Sequence, residues 1–166
     1  MRDLTGPDRV VAILTPTIRR AGAELAAVRL AGGLQALGWR TDLVIARSDN
    51  EEIQAVDAGV SIVRLDASRT HRALFPLIRY LKKSNPVALI AHQGRAARVA
   101  CLASLFVSPA PVVIAVEHNT FSRIRSNWPV GFRRLLVALT SLLYRRAAAI
   151  VHVSERSARD LEEQLS

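Results

Sequence analysis

Val10-Val11-Ala12-Ile13-Leu14, running into Thr15-Pro16-Thr17-Ile18-Arg19-Arg20-Ala21-Gly22-Ala23-Glu24, is the stretch that decides the fold class. A continuous run of β-branched and aliphatic residues reads as a strand buried on both faces. Ala27, Leu30, Leu34 and Leu37 then recur at i, i+3, i+7 and i+10, one face of a helix. Strand, glycine-containing turn and helix together form the opening unit of a doubly wound α/β domain. The first N–H groups of that helix lack intrahelical partners. With the helix dipole they make an anion site at the carboxyl end of the strand, worth roughly 0.3–1 kcal/mol per exposed charge. Phosphate chemistry is the first expectation. No G-x-G-x-x-G follows the strand and no G-x-x-x-x-G-K-[ST] occurs anywhere, so neither classical dinucleotide binding nor P-loop hydrolysis has its usual motif.

The rest of the chain repeats the strand and helix alternation. Gly38 stands where a left-handed cap would close the first helix, and a second strand begins at Thr41. Gly32 and Gly33 fall inside that helix, where each costs about 1 kcal/mol against Ala; close packing on the sheet is their expected use. Residues 48–58 read as an acidic loop, and residues 59–65 alternate as an edge strand with one wet face should. Leu74, Leu77, Ile78 and Leu81 mark an amphipathic helix over 71–83, whose start is pushed back by Pro76 and whose end is set by Asn85-Pro86. Residues 87–91 form a buried strand, His92-Gln93-Gly94 a turn, and 96–106 a small-residue helix. A strand over 112–116 runs into Glu117-His118-Asn119-Thr120. Residues 121–129 lack a period and read as a loop; an apolar helix follows over 131–146, a strand over 149–153, and a helix capped by Ser154. The expected fold is therefore α/β: a doubly wound, mostly parallel six-stranded sheet with helices on both faces and right-handed crossovers. Ligands on such sheets bind beyond the carboxyl ends of the strands, where strand order reverses. That rule selects the turns at 15–24, 92–94 and 117–120 as one site.

With 166 residues the chain fits one domain, expected to span 9–166 behind a flexible leader at 1–8. Cys101 is the only cysteine and lies in an apolar helical run, so no internal disulfide forms and a reduced compartment, the cytoplasm, is indicated. No secretory h-region follows Met1, and no apolar run approaches the roughly 20 residues that span a bilayer. The net charge of +9 is concentrated: residues 67–154 hold thirteen Lys and Arg against one acid, Glu117. Such a region attracts anions, whether phosphorylated substrates, nucleic acid or phospholipid head groups. Nucleic acid is not expected, because no binding motif accompanies the charge and aromatic residues are few.

The order and spacing of Ala21-Gly22-Ala23-Glu24 after the first strand, Leu37-Gly38-Trp39 after its helix, Glu117-His118-Asn119 after a later strand, and Ile150-Val151-His152-Val153-Ser154-Glu155 near the end resembles the N-terminal, Rossmann-like domain of family 4 glycosyltransferases of the GT-B type. In that family two such domains face each other across a cleft, the amino domain mainly binding the acceptor and the carboxyl domain the nucleotide-sugar. The resemblance implies that the backbone at Gly22 and Ala23 approaches the donor diphosphate. The family usually has two glycines before the Ala-Glu, whereas Ala21 precedes Gly22 here and places a Cβ where none is expected. His118 matches the active-site histidine beside the transferred sugar. Glu24, His92, Glu117 and Asn119 follow as acceptor or sugar contacts, while His152 is expected to pack and His71 to be solvated.

The resemblance further implies an acceptor-binding half of a transferase acting on an envelope, lipid-linked or small-molecule acceptor. The donor-binding domain, with its Glu-x7-Glu pair, is expected to be absent; Glu155 and Glu163 lie eight apart on the terminal surface helix and do not supply it. Alone the chain is expected not to catalyse transfer. The implied partners are a nucleotide-sugar, a sugar acceptor and a donor-binding domain in trans, with no metal or other cofactor. The alternative reading is a non-catalytic binding module, peripheral on the inner face of the cell membrane, in which Arg123, Arg125, Arg133, Arg134, Arg145 and Arg146 meet anionic lipid.

Overall fold

Six parallel strands make a single sheet in the order β3-β2-β1-β4-β5-β6. The computed structural model describes residues 9–18, 22–47, 56–118, 130–155 and 158–159, with backbone alone at 130–134. The expected leader, most of the acidic loop, the loop carrying Arg123 and Arg125, Asn119, Glu163 and the side chains of Arg133 and Arg134 lie outside the described residues. Along the chain the elements are β1 (Val10–Thr15), α1 (Gly22–Ala36), β2 (Arg40–Arg47), β3 (Ser61–Ala67), a 3-10 turn (Thr70–Ala73), α2 (Leu74–Ser84), β4 (Ala88–His92), α3 (Gly94–Ser104), β5 (Val112–Glu117), α4 (Val130–Tyr144) and β6 (Ala147–His152).

Every residue of β1 is buried, as its unbroken apolar run requires. Strand alternation divides its side chains between two layers. Ala12 and Leu14 join Leu89 and Ala91 of β4 under α2, α3 and α4, while Ile13 joins Leu43 and Ile45 of β2 under α1. The order runs outward from β1 in one direction through β2 and β3, and in the other through β4, β5 and β6, so the reversal lies between β1 and β4.

Helix ends follow their local chemistry. Gly38 has φ of 86°, its N–H bonds the Gln35 carbonyl, and the Trp39 N–H bonds that of Leu34: a Schellman closure. Asn85 adopts the left-handed conformation after α2, with its N–H on the Leu81 carbonyl. Pro76 sits in the first turn of α2, where its missing N–H is harmless, and the chain before it winds as the 3-10 turn. Several boundaries differ from the sequence expectation by one to three residues, β3 covering Ser61–Ala67 rather than 59–65 among them. α3 starts at Gly94 rather than 96, because Gln93 takes φ of 70° and turns strand into helix in one residue. β6 starts at Ala147, paired to Val113.

Gly32 and Gly33 do not bring α1 onto the sheet. Ala27 and Ala31, one turn apart and fully buried, make that approach. A Cβ at Gly32 would instead meet the Asp57 carboxylate from the segment before β3, and one at Gly33 would meet nothing. Gly33→Ala is accordingly expected to stabilise the fold by about 0.5–1 kcal/mol in urea unfolding, through helix propensity and a stiffer unfolded chain. Gly38→Ala, forced into a left-handed conformation, should destabilise it by about 1 kcal/mol.

Candidate functional site

At the carboxyl edge of the sheet the turns after β1, β4 and β5 come together. Glu24, in the first turn of α1, is only 6% exposed and sits where the helix dipole favours an anion. Its Oε1 accepts from Thr17 Oγ1 at 3.0 Å and from Gln93 Nε2 at 3.1 Å, so one carboxylate oxygen joins the β1 turn to the β4 turn. Gly22, at the start of α1, is exposed with open space around its backbone, and Ala23 is half-buried.

Gln93 is the joint of this arrangement. Its positive φ is a conformation that side chains other than glycine rarely take, at a cost of roughly 1–3 kcal/mol, and it is held from three sides. Its N–H donates to the Val116 carbonyl, its carbonyl accepts from the Ala97 N–H, and its amide reaches Glu24.

His92 and His118 stand at the ends of neighbouring strands. His92 Nδ1 and His118 Nε2 are 2.9 Å apart, with ring centroids 5.1 Å apart and planes inclined by 27°. His92 is 3% exposed; His118 is half-buried and forms the outer member of the pair. Burial pushes the His92 imidazole down to about 4, with repulsion from His118 adding to it. His118 is also lowered, chiefly by burial, although the Glu24 carboxylate opposes the shift. Both rings are neutral at physiological pH, and the site offers oriented N–H groups and lone pairs rather than an imidazolium charge.

Glu117 turns to the other side of the sheet. Strand alternation sends it with Val113 and Ala115 toward α3 and α4, where Tyr144 Oη donates to its Oε1. A Cβ on Gly94 would lie 2.7 Å from that same oxygen, so a larger residue there would push the carboxylate out of its place against the α3 N-terminus. Burial raises the Glu117 carboxyl above its usual range, against the Tyr144 hydrogen bond, the Arg98 charge and the Gly94 backbone. Burial and the Glu117 charge likewise raise the Tyr144 phenol, which stays protonated and serves as donor.

The structure thus places Glu24, His92 and His118 on the α1 side of the carboxyl edge, at the reversal of strand order where such sheets leave a crevice, with Gly22 and Ala23 in the same helical turn as Glu24, and turns Glu117 to the other side. Asn119 lies outside the described residues. Gln93, Thr17, Tyr144 and Arg98 belong to the arrangement without having been singled out in the sequence. Gln93 carried one signal, its place between His92 and Gly94 at a strand end; Tyr144 carried another, a phenol in an otherwise apolar helix. His152 is half-buried and His71 exposed. Buried Cys101 has its thiol pushed up to about 11 by desolvation, so it is unreactive. Among the described residues no three His, Cys, Asp or Glu side chains converge to hold a metal ion.

The depressed His92 value ties stability to pH. Its folded value lies below the unfolded one, so the unfolded chain binds the proton better, and stability present above about 6.5 is lost as pH falls toward about 4. Glu117, raised by burial, acts in the opposite sense, its contribution being lost as pH rises through its folded value. Urea unfolding at neutral and acid pH should therefore show a smaller acid loss in His92→Asn than in the parent, by up to about 3 kcal/mol. Identical pH dependence in the two proteins would show that His92 is protonated as readily in the fold as outside it.

A profile of the glycosyl transferase 4-like domain matches residues 21–166. No curated protein sequence matches the chain. Among solved structures it is similar to sucrose-phosphate synthase from Thermosynechococcus elongatus, with a TM-score of 0.74 at 12% identity over 95% of this chain and 45% of that one. It is also similar to Anabaena HepE in complex with UDP, with a TM-score of 0.63 at 13% identity over 94% of this chain and 40% of that one. The chain therefore spans less than half the length of either. These likenesses show the fold, a single Rossmann-like domain of the kind found in GT-B glycosyltransferases. The match over residues 21–166 shows the family: the chain belongs to the glycosyl transferase 4-like domains.

Proposed function

We propose that this domain forms the acceptor-facing wall of an enzyme that moves a sugar from a nucleotide-sugar to an envelope, lipid-linked or small-molecule acceptor. The observation that carries this reading is that Glu24, in the first turn of α1, faces His118 at the carboxyl edge of the sheet, beside the reversal of strand order. The N–H groups of Gly22 and Ala23, which an α-helix leaves without intrahelical partners in its first turn, suit the diphosphate, on which negative charge accumulates as the glycosidic bond to the leaving group breaks. His118, kept neutral by partial burial, suits hydrogen bonding to a sugar oxygen. Glu24 braces both sides of the crevice through Thr17 and Gln93. The nucleotide would be bound by a second domain, covalently joined or supplied in trans. Without that domain the crevice is open to water on one side, so the isolated domain is not competent for transfer.

The test is nucleoside diphosphate release from a panel of UDP-, GDP- and ADP-sugars in the presence of the donor-binding domain. His118→Ala should lower kcat about 100-fold while leaving the protein folded. Turnover at the parent rate would remove His118 from the site.

A membrane-surface role, whether for the enzyme or for a non-catalytic module in the cytoplasm, is favoured by a separate observation. Leu135, Leu139 and Leu142 are exposed along one side of α4, and Arg145 and Arg146 stand exposed just beyond its end. An apolar stripe bordered by guanidinium groups suits the boundary of an anionic bilayer, where each Arg contributes about 1 kcal/mol. Among the described residues no helix is long and apolar enough to cross a membrane. Replacing Arg145 and Arg146 with Gln should weaken sedimentation with phosphatidylglycerol vesicles about 30-fold; unchanged sedimentation would sink the reading.

A further inference from the structure

The histidine pair contains an asymmetry. A hydrogen bond between two neutral imidazoles joins one N–H to one lone pair, so the 2.9 Å contact between His92 Nδ1 and His118 Nε2 admits two arrangements. They differ at the far side of the inner ring, where His92 Nε2 is buried with no hydrogen-bond partner among the described residues. If His118 Nε2–H were the donor, His92 would have to carry its own proton on Nε2, burying an unpaired N–H. If His92 Nδ1–H is the donor, the buried Nε2 is a bare lone pair. Orphaned buried donors are the rarer and costlier of the two defects.

We infer that His92 is a positioning residue that fixes His118 as its Nδ1–H tautomer. The inner ring donates from Nδ1, the outer ring accepts at Nε2, and His118 retains Nδ1–H as its remaining polar group. His118 then meets its ligand as a neutral donor and selects an acceptor oxygen, on a sugar or a diphosphate. Its other nitrogen is occupied, so it is not arranged to take a proton from an acceptor hydroxyl. Strand pairing enforces the contact: β4 and β5 are parallel, with His92 opposite Val116, which brings His118 past the end of β5 over the inner ring. Glu24 is the charged group facing the outer ring, and it too suits an N–H over a lone pair. The ligand role of His118 rests on the function proposed above; the tautomer does not.

The test is nitrogen-15 NMR of the imidazoles in the full chain without ligand, with His71 as the exposed reference and His118→Gln and His92→Asn used for assignment. The expected result is a proton on Nδ1 in both His92 and His118. A proton on His118 Nε2, or a mixture like that of His71, would overturn the inference. His92→Asn places an amide donor where Nδ1–H was and should keep His118 as the Nδ1–H tautomer; His92→Phe should release it to a mixture. If His92→Phe does not fold, the parent spectrum and His92→Asn still decide the matter. In a transfer assay with the donor-binding domain, His92→Phe should lower kcat roughly 10–100-fold with KM little changed, and His92→Asn should recover most of the loss. Loss of tautomer control with kcat unchanged would overturn the positioning role. An active parent insensitive to His118→Ala would instead strike the functional reading and leave the tautomer assignment standing.

Discussion

β1 pairs in parallel with β2 on one side and β4 on the other, and has no exposed residue. Parallel pairing leaves no room for a tight hairpin, so each return to the sheet crosses one of its faces, and apolar side chains on both faces must then be covered. From this constraint follow the split of the core between α1 and the other three helices and the emergence of every strand at the same edge. It also produces the crevice: where successive connections depart to opposite sides of β1 and β4, the turns at their ends diverge and leave a gap between them.

Polar groups at the carboxyl edge of the sheet are held in pairs, on the crevice side for Glu24 and the two histidines and on the opposite side for Glu117. Glu24 receives two donors, Glu117 receives a phenol and a backbone N–H, and the two histidines share a bond. Such groups are costly when unsatisfied, so each satisfied pair also fixes a relative position: β1 turn to β4 turn, α3 to β5 and α4, β4 to β5. The strain stored at Gln93 is tolerable for the same reason. Its hydrogen bonds hold the abrupt switch from strand to helix that places His92 beneath His118.

The sequence made the scaffold legible where apolar periodicity was strong. β1, the face of α1, the cap at Gly38 and the stop at Asn85 all have local causes, visible within a few residues. The site was legible only as a set of strand ends, because its internal pairings are non-local. Tyr144 meets Glu117 from 27 residues away, and Gln93 meets Glu24 from 69 residues away. Nor does a sequence pattern tell on which side of a strand end a polar residue falls: Glu117 and His118 are adjacent, yet one is committed to the core and the other to the crevice. Gly32 illustrates a different limit. Its neighbour Asp57 comes from the far side of β2, and nothing near position 32 announces it.

The two margins of the sheet differ in character. β3 presents exposed Arg64 and Asp66 along its length, charges that would be stripped of water if another strand were laid beside them. β6 reads Ala-Ala-Ala-Ile-Val-His, without a formal charge, and its Val151 is exposed. Growth of the sheet by a further strand is thus blocked at β3 and permitted at β6, which gives the domain a direction in which architecture can be added without disturbing the crevice.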